Sequence, residues 1–261
     1  MDFAELWRYR DLLIVLAQRD VKLRYRQTAL GVIWVVFQPL LAALIFTILF
    51  NQIAKMPTEV PYFPFAFAGF MAYNSFTSTL TKASNSMVQN TQMVSKIFFP
   101  RVILPLSVIY GTLVDLAVSS IIFFGLMIFF HLPLTLSLIT APLWLLLIQI
   151  LAVGFGLITS AIMVQYRDIQ YALPVLIQFG TYATPVGYSL THAMNQLPSQ
   201  WSPFFILNPL SGLLDSFRWS LMGTHVYNWG LCISSALGAI VIFIIGLAYF
   251  HRMETRFADV I

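Results

Sequence analysis

The chain has 261 residues, 59% of them hydrophobic and only 9% charged, with a mean hydropathy of +0.82. An ordinary soluble domain carries about 25% charged residues, so that class is excluded. The net charge of +4 does not point to nucleic acid: twelve of the fourteen Lys and Arg fall in the N-terminal segment, in every second connection or in the tail, leaving only Lys55 and Arg218 for the other side, the asymmetry by which basic loops mark the cytoplasmic face and meet anionic lipid. Six apolar runs of about 20 residues, each long enough to cross a bilayer as a helix, fill most of the length. The expectation is one all-α, polytopic membrane domain over residues 1–261, with six transmembrane helices, both termini cytoplasmic and no nucleic-acid partner.

Residues 2–26 read as an amphipathic helix with Phe3, Trp7, Ile14, Ala17 and Val21 on one stripe and charges on most other sides. Such a helix lies in the membrane interface, docks a cytoplasmic partner, or does both. A cleavable signal peptide is not expected, because residues 1–29 carry ten charges and no apolar core begins before Leu30. Span 1 covers about 30–50, with Pro39 as the expected kink. Span 2 covers about 62–81. Its outer end is aromatic (Tyr62, Phe63, Phe65, Phe67, Phe70, Tyr73, Phe76) and it turns polar toward the inside (Asn74, Ser75, Thr77, Ser78, Thr79, Thr81). A stripe with that many hydroxyls should face other helices or a pathway rather than lipid.

Residues 82–101 form the longest inside loop, with a helix start at Asn90 or Thr91. Span 3 covers about 102–130. Span 4 covers about 141–164, and Ala152, Gly156 and Ser160 form a small-residue ridge that lets another helix approach. Span 5, about 170–190, is interrupted by Pro174, Gly180, Pro185 and Gly187; such breaks must find hydrogen-bond partners within protein or water. Residues 191–227 are outside, with one or two short helices dipping into the outer leaflet, and Asn208 followed by Pro209 suits an N-cap and first turn. Span 6 covers about 229–250, with Gly230, Ser234 and Gly238 as a second ridge.

No Gly-Lys-Ser/Thr pattern exists, since the four lysines follow Val21, Ala54, Thr81 and Ser95; ATP hydrolysis by a phosphate-binding loop is excluded. No metal site is expected, because His131, His192, His225 and His251 are scattered without ligand spacing. Cys232 lies inside the last span, where an apolar setting disfavours the thiolate. Asp115 is the one carboxylate well inside a span, read either as a functional group or as an interhelical hydrogen-bonding group that fixes packing. Asp215 and Arg218 sit three apart and could pair on an outside helix. Tyr62, Trp144, Trp201, Trp219 and Trp229 suit an interfacial aromatic belt. Phe67, Phe70 and Tyr73 suit either a belt or a surface on which sugar rings stack and slide.

Four blocks resemble the membrane subunit of type 2 ABC exporters, the branch moving polysaccharide and lipid-linked glycans: RDVKLRYRQTALGVIWVVFQPLL, NTQMVSKIFFPRVILPL, QYRDIQYALPVLIQFGTYATPVGYS and NPLSGLLDSFRWSLMG. Near the start of span 2, where that family often has Pro-Trp, this chain has Ala72-Tyr73. The resemblance implies two permeases with two ATPases, with ATP and Mg bound by the ATPase partner and no cofactor held by this chain. It implies an ATPase-coupling element over 84–100, with Val88, Asn90, Met93, Val94, Lys96 and Phe98 as candidates. It places an outer gate at Pro185, Tyr188, Asn208 and Pro209. The pathway would run between two copies, lined by spans 1, 2 and 5: Trp34, Phe37, Phe67, Phe70, Tyr73, Asn74, Thr77, Phe179 and Tyr182. The implied substrate is a lipid-linked glycan of the O-antigen, capsule or teichoic-acid type, exported across a bacterial inner membrane. A permease for a drug, lipid or other small hydrophobic molecule is the alternative. A membrane enzyme would need clustered acid–base groups, and a proton-coupled transporter a relay of buried carboxylates; the sequence offers neither.

Overall fold

The computed structural model describes residues 7–26, 31–97, 99–254 and 257. Phe3, at the start of the expected amphipathic stripe, and Phe98, among the coupling candidates, lie outside the described residues. The helices are α1 (Arg10–Arg26), α2 (Gly31–Phe46), α3 (Tyr62–Gln89), α4 (Thr91–Lys96), α5 (Ile103–Phe129), α6 (Ala141–Gln165), α7 (Ile169–Ala183), α8 (Leu190–Gln196), α9 (Ser202–Leu207), α10 (Pro209–Met222) and α11 (Trp229–Glu254). A π-helical segment, Thr47–Ile53, extends α2, and a 3₁₀ turn, Leu136–Thr140, leads into α6. No strand occurs among the described residues.

Four helical segments are long and apolar enough to cross a membrane: Ile33–Ile53, Ile103–Phe129, Leu136–Gln165 and Trp229–Glu254. They correspond to expected spans 1, 3, 4 and 6. The other two expected spans form helices of a different kind. Span 2 becomes α3, whose 28 residues reach about 42 Å, but whose second half is rich in hydroxyls. Span 5 becomes α7, only 15 residues or about 22 Å, short of the roughly 30 Å hydrocarbon core.

Helix α3 is the axis of the bundle and packs on α6, α5, α2, α10 and α7. Its first twelve residues are buried almost all round, as expected of a helix apolar on every face. Ala66, Ala68, Gly69 and Ala72 keep its surface thin enough for neighbours to close on it. Helix α5 lays one stripe, Thr112, Leu116, Ser119, Phe123 and Met127, toward the interior, while Ile121, Ile128 and Phe129 point outward. Exposed apolar faces on this scale mark a surface covered by lipid or by another protein.

The closest approach joins α6 to α11. A Cβ on Gly154 would lie 2.8 Å from the main chain of Phe243, and one on Gly246 would collide with the Gly154 carbonyl. Helix α6 also meets α3 at Gly156, where a Cβ would come 2.6 Å from that of Ala83. The expected ridge on α6 is therefore a contact line. The one on α11 holds only at Gly238, which meets Pro209; Gly230 and Ser234 are exposed, and Ser235 and Gly246 make the closer contacts.

Three boundaries differ from the sequence reading. Residues 82–89 are not loop but the last two turns of α3. Pro39 and Pro174 lie inside continuous helices; the winding of span 1 changes later, at Thr47–Ile53. The segment 190–222 holds three short helices rather than one or two.

The basic connections meet at one end, around Leu16, Met87, Val94, Phe99, Ile103, Leu157, Phe250 and Phe257. Helix α1 docks there through Leu16 and Ala17, with Leu12 and Leu13 beside them, and Val21 reaches toward Gly111 of α5. The expected stripe is thus only half right: Ala17 and Val21 face the bundle, but Trp7 is 70% exposed and Ile14 points away. Polar ties close this end. Arg19 donates to Asn90 Oδ1 at 3.1 Å, and the Arg101 guanidinium donates to the Glu254 carbonyl at 2.6 Å.

Gly154→Val should destabilise the protein by about 1–3 kcal/mol or more, since backbone lies where the side chain must go. Gly125→Val, with nothing within 4 Å of the added Cβ, should stay within about 0.5 kcal/mol. Thermal unfolding of the two variants in detergent checks this; equal midpoints would contradict the assigned α6–α11 contact.

Candidate functional site

The break after α7 is organised by a buried arginine. Helix α7 ends at Ala183, and residues 184–189 run non-helically between α2, α3 and α10. Carbonyls in such a turn need donors from within the protein. Arg218, 1% exposed on α10, supplies them: its guanidinium donates to the carbonyl of Pro185 at 2.8 Å, to that of Tyr188 at 3.3 Å, and to that of Val186. Tyr62 donates its hydroxyl to the Gly187 carbonyl. The guanidinium also lies 4.1 Å over the Phe65 ring, a cation–π contact strengthened by desolvation. Gly69 has no side chain here for good reason, since a Cβ would collide with the Val186 carbonyl and Arg218.

Asn208 closes the same turn from the other side. Its Oδ1 accepts from the Leu210 amide at 3.1 Å, the expected N-cap, while its Nδ2 donates to Thr184 Oγ1 at 3.0 Å. Pro209 fills the first turn of α10 and packs near Gly238. The four expected gate residues, Pro185, Tyr188, Asn208 and Pro209, are thereby gathered around one turn. Two readings change. Arg218 does not pair with Asp215 but is held by main-chain carbonyls, and Tyr62 belongs to this knot rather than to an interfacial belt. Trp144 is likewise buried. Asp215 instead accepts from the Tyr227 amide at 2.9 Å. Burial pushes its carboxyl above the usual carboxylate range, opposed by that bond and by the Arg218 charge and reinforced by Glu59. A lone arginine within LLDSFRWSLM was the available signal for the knot, since an ionisable group in an apolar helix is functional by default.

A second polar feature lies between α2, α3 and α5. A cavity of about 310 Å³ is lined by Trp34, Gln38, Asn74, Ser78, Lys82, Asp115 and Ser119 among others. Lys82 Nζ stands 3.5 Å from Asp115 Oδ2. Because α3 continues past its expected end, Lys82 sits on helix rather than loop, and helical side chains lean toward the N-terminus, so it reaches inward to Asp115. The carboxylate is thus part of an interhelical pair, not a solitary group. Beside it, Thr79 bonds Thr112 at 2.8 Å and Gln149 at 2.6 Å, and Gln149 donates to Ser75 at 2.5 Å. The hydroxyls of Ser75 and Thr79 thus bond neighbouring helices, while Ser78 borders the cavity.

The expected pathway residues divide. Trp34 and Phe37 on α2 are exposed and meet edge to face at 5.5 Å. Phe179 and Tyr182 on α7 are 68% and 65% exposed. Asn74 and Thr77 are half-buried. Phe67 and Phe70, in contrast, are enclosed: Phe67 stacks on Phe123 and Phe70 meets Phe46 at 4.8 Å. The sequence reading inferred a surface from the polar half of span 2, but its aromatic half is surrounded by α2, α5, α6 and α10. Tyr73 is also buried, donating to the Ile177 carbonyl at 2.7 Å, which ties α7 to α3.

At the basic end, α4 follows α3 after a break at Asn90. Val94 is buried and anchors it, and Met93 is half-buried against the same cluster. Asn90 donates to the Ser86 carbonyl at 2.8 Å and accepts from Arg19, so it joins α3 to α1. Val88 is half-buried. The outward face consists of Gln92, Ser95 and Lys96, with Ile97 55% exposed beside them; Ile97 was missed because one isoleucine in a loop carries no periodicity. Among the described residues no three of His, Cys, Asp or Glu gather as a metal would require.

Residues 11–222 match the family described as ABC-2 type transporter. The chain is 30% identical over 260 residues to an O-antigen export system permease protein RfbA of Klebsiella pneumoniae, covering 96% of this chain and 95% of that one. A protein of the same name from Myxococcus xanthus is 29% identical over 215 residues, 82% of this chain and 81% of its own length. The polysialic acid transport protein KpsM of Escherichia coli is 24% identical over 245 residues, 90% and 91% of the two chains. A chain with several membrane-length apolar helices and this match is a multi-pass transport permease of the bacterial inner membrane. It belongs to the ABC-2 type transporter family.

Proposed function

We propose that this chain is the transmembrane subunit of an ATP-driven ABC exporter that moves a lipid-linked polysaccharide, of O-antigen, capsule or teichoic-acid type, from the cytoplasm to the outer side of the inner membrane. The carrying observation is the end-to-end similarity to O-antigen export permeases, 30% over 96% of the chain. Six crossings with both termini cytoplasmic are supported by the twelve-to-two distribution of Lys and Arg and by the meeting of Arg19, Arg101 and Glu254 at one end.

Energy must come from elsewhere, because the sequence has no phosphate-binding loop. Two ATPase subunits, binding ATP and Mg, serve a pair of permeases. Their docking surface is the outward face of α4 with Ile97. The exposed faces of α2 and α7 are covered by the second copy and border the pathway, so that Trp34, Phe37, Phe179 and Tyr182 line it. Helix α7 suits a moving wall: Leu173 is its one buried residue among those described, and its polar ties to the body include Tyr73 to Ile177. The turn at Pro185–Tyr188 closes the outer end until α7 moves. The lipid anchor stays at the bilayer while the glycan passes between the copies.

Deletion of the gene should leave glycan inside the cell and none on the surface; unchanged surface glycan, with loss of resistance to a drug instead, would transfer the reading to a small hydrophobic substrate. Replacing Ile97 and Lys96 together by glutamate should weaken ATPase docking by about 2 kcal/mol, roughly thirty-fold, measured by co-purification; undiminished recovery would contradict the α4 surface. Arg218→Met leaves three carbonyls without their charged donor and should cost about 3 kcal/mol or more, with Arg218→Lys intermediate because one ammonium cannot reproduce the guanidinium fork. Thermal unfolding reads the cost. Labelling of Val186→Cys by an impermeant maleimide from outside should rise in the Arg218→Met background; no rise would remove Arg218 from the gate.

A further inference from the structure

The outer end holds a further cavity, of about 330 Å³, that shares Phe65 with the Arg218 knot. It lies between the loop that follows the π-helical segment, helix α8, and the outer end of α10 with its following loop. Glu59, Thr191, His192, Asn195, Asp215 and His225 line it, beside Phe65.

Both carboxylates are oriented by main-chain amides. The His225 N–H donates to Glu59 Oε2 at 2.8 Å, and the Tyr227 N–H donates to Asp215 Oδ2 at 2.9 Å. Each bond engages one oxygen and fixes the direction of the other, which is an acceptor only. Asp215 is a buried residue, 8% exposed, and borders the cavity. Asn195 supplies an amide with donors and an acceptor, Thr191 a hydroxyl, and the two imidazoles one donor and one acceptor each when neutral.

No Lys or Arg lines this cavity, so an anion finds no counter-charge there. A metal is not matched either, since no three metal-ligating side chains converge among the described residues. What the lining matches is a neutral ligand dense in hydroxyls, each able to donate to a carboxylate and accept from an amide. A donor to a carboxylate makes a charge-assisted bond, roughly twice as strong as a neutral one. The volume sits at the lower end of ligand pockets, which begin near about 300 Å³, and suits one or two sugar rings.

The geometry points to this cavity as an outer binding site for one or two neutral sugar units, an inference that deepens the export reading and rests on it. Its place gives it a role. Ser189, next to the gate residue Tyr188, also lines the cavity, so a sugar held there touches the chain one residue beyond a carbonyl that Arg218 grips. Units that have passed the gate are caught beside it, which favours onward movement over return.

The test uses the full chain with its ATPase partner in lipid nanodiscs, and methyl glycosides of mannose, galactose and N-acetylglucosamine as probes, observed by saturation-transfer NMR. Saturable transfer to at least one glycoside is expected. Glu59→Gln and Asn195→Ala should each weaken it about ten-fold. Both positions are exposed, so folding is not at issue, and Leu237→Ala on the outward face of α11 should leave binding unchanged. Transfer to no glycoside, or equal transfer in Glu59→Gln and Asn195→Ala, overturns the site. So does calcium binding that Glu59→Gln abolishes while no glycoside binds. Surface glycan in the producing cell is scored in parallel: export that proceeds while the cavity binds no sugar removes this site and leaves the export reading standing.

Discussion

Hydrocarbon offers no hydrogen bonds, and the folded chain is arranged around that constraint. Every irregular piece of backbone placed among the helices has to find its partners within the protein. The turn after α7 is the clearest instance. Its carbonyls at Pro185, Val186, Gly187 and Tyr188 are met by Arg218 and Tyr62, and the hydroxyl of Thr184 by Asn208. The same need explains why the hydroxyls of α3 form a network with Thr112 and Gln149, and why Lys82 is matched by Asp115. An arginine buried in this way carries a desolvation cost that only several good acceptors offset, so the turn and the cation hold each other.

Around those polar joints the packing is uneven, and the unevenness has mechanical content. Helices α3, α6 and α11 approach through glycine and alanine until main chain touches main chain, as at Gly154 and Gly246. Without a hydrophobic force between helices in lipid, this close dispersion contact is what holds a membrane bundle. Helix α7 has no such contact line along its length. It is attached through Leu173, the Tyr73 hydroxyl and the turn at its end. A closely packed body of α3, α6 and α11 beside a lightly attached α7 is the division of labour that the proposed exporter needs, with α4 at one end to receive force and the Arg218 knot at the other to resist opening.

Much of this was legible from residues alone. The positions of spans 1, 3, 4 and 6, the small-residue ridge on α6, the cap at Asn208–Pro209 and the discontinuity after α7 follow from apolar length, glycine spacing and turn chemistry. Other features were misread for identifiable reasons. The polar run after Thr81 looked like loop, although helix is the cheapest way to satisfy backbone wherever water is scarce. Phe67 and Phe70 looked like pathway, because hydropathy cannot tell an aromatic that faces a channel from one that faces Phe123 or Phe46. Asp215 and Arg218 looked like a pair on spacing, but Arg218 is taken up by the carbonyls of Pro185, Val186 and Tyr188, while Asp215 accepts from the Tyr227 amide.

Residue order alone establishes that the chain is helical and membrane-embedded, that its positive charge falls largely on one set of connections, that it holds no Gly-Lys-Ser/Thr pattern, and which family it resembles. These depend on composition, apolar length and local motif, all of them properties of neighbouring residues. Helix packing adds which face of each helix is covered, that Lys82 meets Asp115, that Arg218 holds the turn after α7, and that Glu59 and Asp215 share a cavity. Those contacts join residues far apart in the chain, such as Lys82 to Asp115 or Glu59 to His225, and the rotation of one helix against another is set by packing that leaves no periodic mark in a single strand of letters.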